Sequence, residues 1–271
     1  MAEPAGASED EAKSPWAALG QPFISIFEAV GSVLALTGES VVWLIRPPYR
    51  FGQLLAAAEF IGVGSVFIVA LTGVFSGMVL ALQTTYSLRA FGAEGVVGQV
   101  VAVSLTREIA PVFTALMVAA RAGSAMAAEL GNMRITEQID ALVTMAVSPV
   151  QYLLSPRLLA AVLTVPLLCI LYSCVGMAGA WLVAVRWLGV DPGIFVSNIE
   201  RHLLPSDFFM GIIKAAVFGF LIAAISCTRG YHASGGARGV GQATTQAVVH
   251  SAVSILIANY MLTSLLLGNP G

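Results

Sequence analysis

The feature that most restricts this chain is a series of long apolar runs separated by short polar segments. A run of roughly 20 apolar residues can cross the hydrocarbon core of a bilayer as a helix. Because these runs are continuous rather than alternating, they do not suit the strands of a membrane barrel. Charged residues make up only 10% of the sequence, against about 25% in soluble domains. We therefore predict an all-α integral membrane protein with five transmembrane helices: Ile61–Gln83, Val96–Ala120, Leu158–Leu188, Phe208–Thr228 and Thr245–Leu267.

The region before the first span is predicted to have two parts. Residues 1–15 form a polar tail, which we expect to be disordered and which lacks the pattern of a cleaved signal peptide. Residues 16–50 are predicted to form an interfacial helix and an elbow. From Trp16 to Ile45 the polar residues recur at three-, four- and seven-residue steps, which is typical of a helix lying in the plane of the membrane surface. Pro47 and Pro48 end that helix, and residues 51–271 form the membrane domain.

The distribution of arginines predicts the orientation. With a cytoplasmic N-terminus, an odd number of spans places the C-terminus in the periplasm. More arginines then lie on the cytoplasmic side, in agreement with the positive-inside rule. The inner set is Arg46, Arg50, Arg121, Arg134, Arg157, Arg229 and Arg238, and the outer set is Arg89, Arg186 and Arg201.

Several absences narrow the function classes. The only lysines are Lys13 and Lys214, and neither lies in a phosphate-binding G-x-x-x-x-G-K-[ST] loop. ATP and Mg would therefore have to be bound by a partner subunit. No catalytic residue, cofactor or metal site is predicted in this chain, and a net charge of −2 offers no basic surface for nucleic acid. The glycine-rich stretch at 235–241 is predicted to be a connector between the last two spans.

Ionisable residues inside the spans are the strongest candidates for function. Arg107 and Glu108 are adjacent in the second span, shortly before Pro111. Such residues are costly in lipid, so they usually face a cavity or a partner. Neighbouring helix positions point about 100° apart, so each should have its own partner, or both should line a cavity. Tying helices together is the alternative role. Lys214 in the fourth span either snorkels to the interface or is functional.

Small and polar residues mark the predicted helix contacts. Gly73 and Gly77 are four residues apart in the first span, a spacing that permits close approach of two backbones in lipid. We interpret them as packing residues, with contact between two copies of the chain as a further use. His250 and Asn259 in the fifth span are expected to form hydrogen bonds between helices. The same packing or dimer role is assigned to Arg121, Gly123, Ser124 and Glu129.

A short helix is predicted between the second and third spans, at about 134–147. Thr136 is its expected N-cap, and Glu137 and Asp140 place negative charge near its positive end. Its apolar residues fall on one face. The helix either lies on the membrane or inserts that face into a groove on another protein, and the pattern alone leaves both open.

Several ordered motifs carry a resemblance to a known family. They are Leu105–Pro111 (LTREIAP), Arg121–Ala125 (RAGSA), Ala128–Gly131 (AELG), Thr136–Leu142 (TEQIDAL), Ser155–Arg157 (SPR) and Ala243–Val249 (ATTQAVV). In this order they resemble the MlaE/YrbE permease family, over roughly 51–268.

The resemblance implies a homodimeric permease subunit of an ABC transporter that moves phospholipids or related lipids. Its partners would be a cytoplasmic ABC ATPase dimer, an MCE-domain protein on the outer side, a STAS-domain accessory protein and membrane lipids, in a bacterial inner membrane. The short cytoplasmic helix would couple to the ATPase through Arg134, Thr136, Glu137, Gln138, Ile139, Asp140 and Leu142. The lipid cavity between the two copies would include Arg107, Glu108, Gln83, Phe91 and Lys214.

Two other functions remain open at this level. One is a proton-coupled secondary transporter in which Glu108 titrates and no ATPase is needed. The other is a membrane anchor that holds an MCE assembly and has no lipid path of its own.

Overall fold

The structure, a computed structural model, describes residues 31–43 and 51–267, and within these ranges it contains helices and no strand. The predicted polar tail and most of the predicted interfacial helix lie outside the described residues. Residues 31–43, which belong to the predicted interfacial helix, are helical and form α1. This helix packs against the start of the third span, where the Ser155 hydroxyl donates to the carbonyl of Ser40 at 3.0 Å.

Five of the helices in the described part are long and apolar enough to cross a membrane, which confirms the predicted all-α membrane fold. The helix α3 has 42 residues, or about 63 Å at 1.5 Å per residue, so it extends well beyond a hydrocarbon core of about 30 Å. The spans are α2 (Phe51–Arg89, with a 3₁₀ turn at Val63–Ser65), α3 (Glu94–Ile135), α5 (Val150–Trp187), α7 (Pro205–Tyr231) and α8 (Gly236–Leu267); the short helices are α4 (Gln138–Thr144) and α6 (Pro192–His202).

Both long helices α3 and α5 contain π-helical turns. In α3 the turns are Leu105–Ile109 and Ala119–Gly123. In α5 they are Val150–Leu154 and Leu182–Trp187. A π-turn is rare inside an α-helix and often occurs at a functional site. The first turn of α3 contains the two adjacent charges that the sequence singles out.

Glycines allow α2, α5 and α7 to pack with their backbones in close contact. A Cβ atom on Gly77 would lie 1.9 Å from the carbonyl oxygen of Gly176 in α5. One on Gly219 of α7 would lie 2.6 Å from the carbonyl oxygen of Ala161. Helices in lipid associate through such van der Waals contacts because no hydrophobic effect drives them together. The third span α5 therefore lies between α2 and α7 at the centre of the bundle.

The predicted helix between the second and third spans is present, but its start differs. Thr136 is not the N-cap: it lies at the end of α3, where its hydroxyl donates to the carbonyl of Asn132 at 2.7 Å. Glu137 precedes α4 in the left-handed region, with φ of 59°, and its side chain makes no capping bond. The chain reverses direction here, and a residue with positive φ permits that reversal.

The glycine-rich stretch before the last span is also different from the prediction. Gly235 has φ of +87° and forms the turn, whereas Gly239 and Gly241 lie inside the first turns of α8. The last span therefore begins nine residues earlier than Thr245, at Gly236.

Candidate functional site

Arg107 and Glu108 occupy the first π-turn of α3, and their side chains pair with different residues. Pro111 follows one turn later and has no N–H, so the carbonyl of Arg107 loses its α-helical partner. The Lys214 ammonium of α7 donates to that carbonyl at 3.1 Å. The backbone irregularity of α3 therefore supplies one of the acceptors that hold a buried cation.

The first pair joins Arg107 to Asp207, in the first turn of α7. Arg107 Nε and Nη2 lie 2.7 Å and 2.5 Å from the same carboxylate oxygen, Oδ1. The other oxygen, Oδ2, accepts the backbone N–H of Leu204 at 3.0 Å, which fixes the carboxylate at the start of the helix. The Asp207 side chain is wholly buried. A negative charge at a helix N-terminus is also stabilised by the helix dipole.

The second pair joins Glu108 to Lys214 and extends to α8. The ammonium of Lys214 donates to Glu108 Oε1 at 2.7 Å and to the hydroxyl of Thr263 at 2.7 Å. The amide of Asn259 donates to Glu108 Oε2 at 3.1 Å. Lys214 is 0% exposed, so it does not snorkel to the interface. The expectation that Asn259 forms a hydrogen bond between helices is confirmed.

The two ion pairs are arranged alike. We call their four members and the two hydrogen-bonding residues of α8 the charge network: Arg107, Glu108, Asp207, Lys214, Asn259 and Thr263. In each pair α3 supplies the member that is partly exposed, with 30% of Arg107 and 37% of Glu108 accessible. The helix α7 supplies the counter-charge, which is buried in both cases. The network is therefore electrically balanced, and it presents one cation and one carboxylate at the surface of α3.

Sequence reasoning missed Asp207 and Thr263. Asp207 lies just before the predicted fourth span, although Pro205 and an acid two residues later are a typical helix start. Thr263 resembles many threonines in apolar helices, because its hydroxyl can bond to its own helix, as it does at the carbonyl of Asn259.

Two other predicted cavity residues lie outside the charge network. Gln83 is exposed on α2, and Phe91 is 84% exposed in the connection between α2 and α3. Within the described part of the chain, neither the Gln83 nor the Phe91 side chain contacts the charge network.

The predicted packing residues make contacts within the chain. Gly73 and Gly77 face α5, and a Cβ atom on Gly123 would lie 2.9 Å from the Ser226 hydroxyl of α7. The Ser124 hydroxyl donates to the carbonyl of Ala120 at 2.5 Å, and Glu129 pairs with Arg157 at 2.8 Å.

Arg121 lies inside α3, not at its end. It donates to the carbonyl of Phe60 and lies 5.0 Å from the centre of that ring, and Nη1 is 3.4 Å from the Ser65 hydroxyl. It therefore contacts α2 just before the 3₁₀ turn at Val63–Ser65 and at the last residue of that turn.

The predicted coupling residues form the surface around α4. Arg134 and Asp140 are paired at 2.6 Å across the turn that precedes the helix. Thr136, Glu137 and Gln138 are exposed, while Ile139 is buried and Leu142 is half-buried against the bundle. At the end of α4, the apolar side chains of Val143 and Met145 are 57% and 63% exposed.

The fold and the charge network define a multi-pass helical membrane protein with paired charges between its spans. A family model described as "Permease MlaE" matches residues 54–265, and the chain belongs to this family of permeases. A "probable ABC transporter permease protein" of Rickettsia bellii is 42% identical over 247 residues, which are 91% of this chain and 95% of the relative. The intermembrane phospholipid transport system permease protein MlaE of Haemophilus influenzae is 39% identical, over 93% of this chain and 97% of its own. The chloroplastic protein TRIGALACTOSYLDIACYLGLYCEROL 1 of Arabidopsis thaliana is 37% identical, over 86% and 67%.

Proposed function

We propose that this chain is the membrane-spanning subunit of an ATP-driven transporter that moves phospholipids between membranes. The observation that carries the proposal is the charge network, in which α3 presents Arg107 and Glu108 inside the bundle and α7 neutralises both. A network that only tied helices together would have no reason to leave one member of each pair exposed. The names of the relatives, as ABC permeases and as a phospholipid transport permease, support the same function.

Arg107 is suited to the phosphate of a lipid headgroup. Asp207 engages its Nε and Nη2 atoms, which leaves Nη1 for a further acceptor. Guanidinium donors bind phosphate oxygens well, because their hydrogen bonds are assisted by charge. Glu108 offers a carboxylate close by for a positively charged headgroup amine. Since Lys214 and Asp207 balance these charges, an empty site carries no net charge into the membrane.

Energy would come from a separate ATPase that docks at α4. The exposed Val143 and Met145 beside the charged Glu137 and Asp140 offer an apolar patch with a polar rim, which is typical of a protein-binding surface. In the proposed assembly two copies of the chain lie side by side in the bacterial inner membrane. The ATPase dimer, with its ATP and Mg, and a STAS-domain protein bind on the cytoplasmic side, and an MCE-domain protein binds outside.

Reconstitution of the complex in proteoliposomes tests the coupling surface. We expect Asp140→Lys and Glu137→Lys to abolish nucleotide-dependent lipid transfer while the ATPase alone stays active, since both reverse a charge on the docking surface. Glu94→Lys is the matched control, because it breaks an exposed arginine–carboxylate pair at the opposite end of the bundle, Arg89–Glu94 at 2.7 Å. Transfer that is unchanged by both α4 variants would remove this helix from the mechanism.

The same vesicles separate the proposal from its rivals. Lipid transfer that needs no nucleotide but stops when the proton gradient is dissipated would establish secondary transport. A photoreactive residue at position 108 that captures no lipid in an active complex would establish the anchor role. The proposal requires nucleotide-dependent transfer together with captured lipid.

A further inference from the structure

An apolar feature lies beneath the short helix α6 and borders the charge network, because Thr106 and Phe208 in its walls are next to Arg107 and Asp207 in the sequence. It is a groove of about 460 Å³ between α5, α6 and α7, and its walls include Cys174, Ala178, Trp181, Phe195, Ile199 and Phe208. The volume is within the range of about 300–1,000 Å³ that is usual for small-molecule sites. We call it the α6 groove. Among the described residues that line it, Thr106 of α3 and Ser173 of α5 carry hydroxyls, and the Ser173 hydroxyl already donates to the carbonyl of Cys169 at 3.0 Å.

The roof of the groove is rigidly attached to α3. Asp191 caps α6 by accepting the N–H of Ile194 at 2.9 Å, and the amide of Asn198 donates to the carbonyl of Gly95 at 2.7 Å. Phe195 is 1% exposed, and its backbone lies so close to Gly98 that a Cβ atom there would be 2.5 Å from the Phe195 carbonyl oxygen. The helix α6 is therefore capped at its start and held against α3 at two points, Asn198 and Phe195.

We place the exposed Trp187 at the end of α5 in the membrane interface, where tryptophan is enriched, and this places the groove within the hydrocarbon region. Its α5 wall runs from Ser173 to Trp181, so it lies roughly 9–21 Å along the helix from the α5 end at Trp187. One leaflet of the hydrocarbon core is about 15 Å thick. The last turn of α6 carries the exposed residues Glu200, Arg201 and His202, as expected of a helix at the membrane surface.

We propose that the α6 groove holds one acyl chain of a membrane phospholipid, at a site that borders the charge network. Trp181 and Phe208 are 37% and 39% exposed at its edges, so the groove is open at the side. An apolar groove between spanning helices is filled by the surrounding medium, and at this depth the medium is acyl chain rather than water. The walls on α5 and α7 and the roof formed by α6 contact that chain on more sides than the open surface of one helix does.

Photolabelling of the full-length chain tests this site without nucleotide or partner subunits, so its failure is distinct from failure of the proposed transport function. The probe is a phosphatidylglycerol with a diazirine in one acyl chain, in vesicles of phosphatidylethanolamine and phosphatidylglycerol. Adducts are expected to concentrate on the peptides that contain Cys174–Trp181 and Phe195–Ile199. Leu163 and Leu167 on the same helix α5 are the comparison, since they are 54% and 65% exposed without surrounding walls.

Ala178→Phe fills the groove and should lower adduct yield on those peptides by about tenfold, as a steric conflict of one side chain would. Leu167→Phe, the matched control on α5, should leave the yield unchanged. If Ala178→Phe does not fold, Val196→Phe fills the groove from the α6 wall. Equal labelling of Leu163, Leu167 and the groove would overturn the proposal. So would a groove without lipid adducts, which is the result expected if a second copy of the chain covers it.

Discussion

Removal of one charge from the Glu108–Lys214 pair should destabilise the protein by an amount that depends on which charge remains. Breaking a buried ion pair on one side typically costs about 3–5 kcal/mol, because the other charge is left without a partner. Glu108→Gln leaves the ammonium of Lys214, which is 0% exposed, so we expect about 3–5 kcal/mol. Lys214→Met leaves Glu108, which is 37% exposed and still accepts from Asn259, so about 2–3 kcal/mol is expected.

The double variant Glu108→Gln/Lys214→Met should be more stable than either single variant. It removes both charges, and exchange of a complete buried pair for neutral groups is often close to neutral. Since the double variant loses no more than Lys214→Met does, the interaction energy between the two positions is at least about 3–5 kcal/mol. The measurement is equilibrium unfolding of the purified chain in mixed micelles, followed by circular dichroism, for all four members of the cycle.

The exposed pair Arg89–Glu94 provides the control cycle. Its members are 45% and 35% exposed, so water solvates whichever charge remains and little interaction energy is expected. Additive effects of the two changes at Glu108 and Lys214 would refute the reasoning, as would a larger loss for Lys214→Met than for Glu108→Gln.

Three further substitutions have clear expectations. Gly77→Ala places a Cβ atom 1.9 Å from the backbone of α5 and should cost about 1–3 kcal/mol in the same unfolding assay. Its control Gly241→Ala, which meets nothing within 4 Å, should be neutral or slightly stabilising. Equal effects of the two variants would contradict the close packing of α2 against α5. Asp207→Asn keeps the shape of the side chain but removes its charge, so about 2–4 kcal/mol of stability should be lost, and a thermal midpoint equal to wild type would count against a buried ion pair. Gly64→Ala places a Cβ atom 2.2 Å from Arg121 and should expose the 3₁₀ turn of α2 to faster hydrogen exchange, which mass spectrometry measures; unchanged exchange would show that the arginine does not hold the turn.

The fold and part of the site could be predicted because they depend on local rules. Spans were recognisable from hydropathy, since lipid tolerates only long apolar helices or closed barrels. The separate partners of Arg107 and Glu108 followed from the angle between adjacent helix positions, and the structure confirms them. Their roles in lipid binding remain predictions, as do the roles of the residues around α4.

The identity of those partners could not be predicted, because it depends on tertiary packing. Asp207 and Lys214 lie 100 and 106 residues after their partners Arg107 and Glu108 in the sequence. The π-turn that positions α3 leaves no recognisable pattern, although Pro111 shows that the backbone there is irregular. Thr136 was wrongly assigned as an N-cap because a threonine before a helix often serves that purpose. Here its hydroxyl bonds back into α3, and Glu137 makes the turn.

The π-turn at Leu105–Ile109 makes the orientation of the two halves of α3 depend on the exact number of residues between them. A turn of this kind accommodates one residue more than an α-helix does, so deletion of one residue there would restore regular geometry. A further inserted residue, which this turn would not absorb, would instead rotate one half of α3 by about 100° against the other. Arg107 and Glu108 could not both keep their partners on α7 while Arg121 kept its contact with α2. An unabsorbed change in residue number would therefore separate the charge network from the half of α3 that leads to α4, even with every side chain of the turn retained.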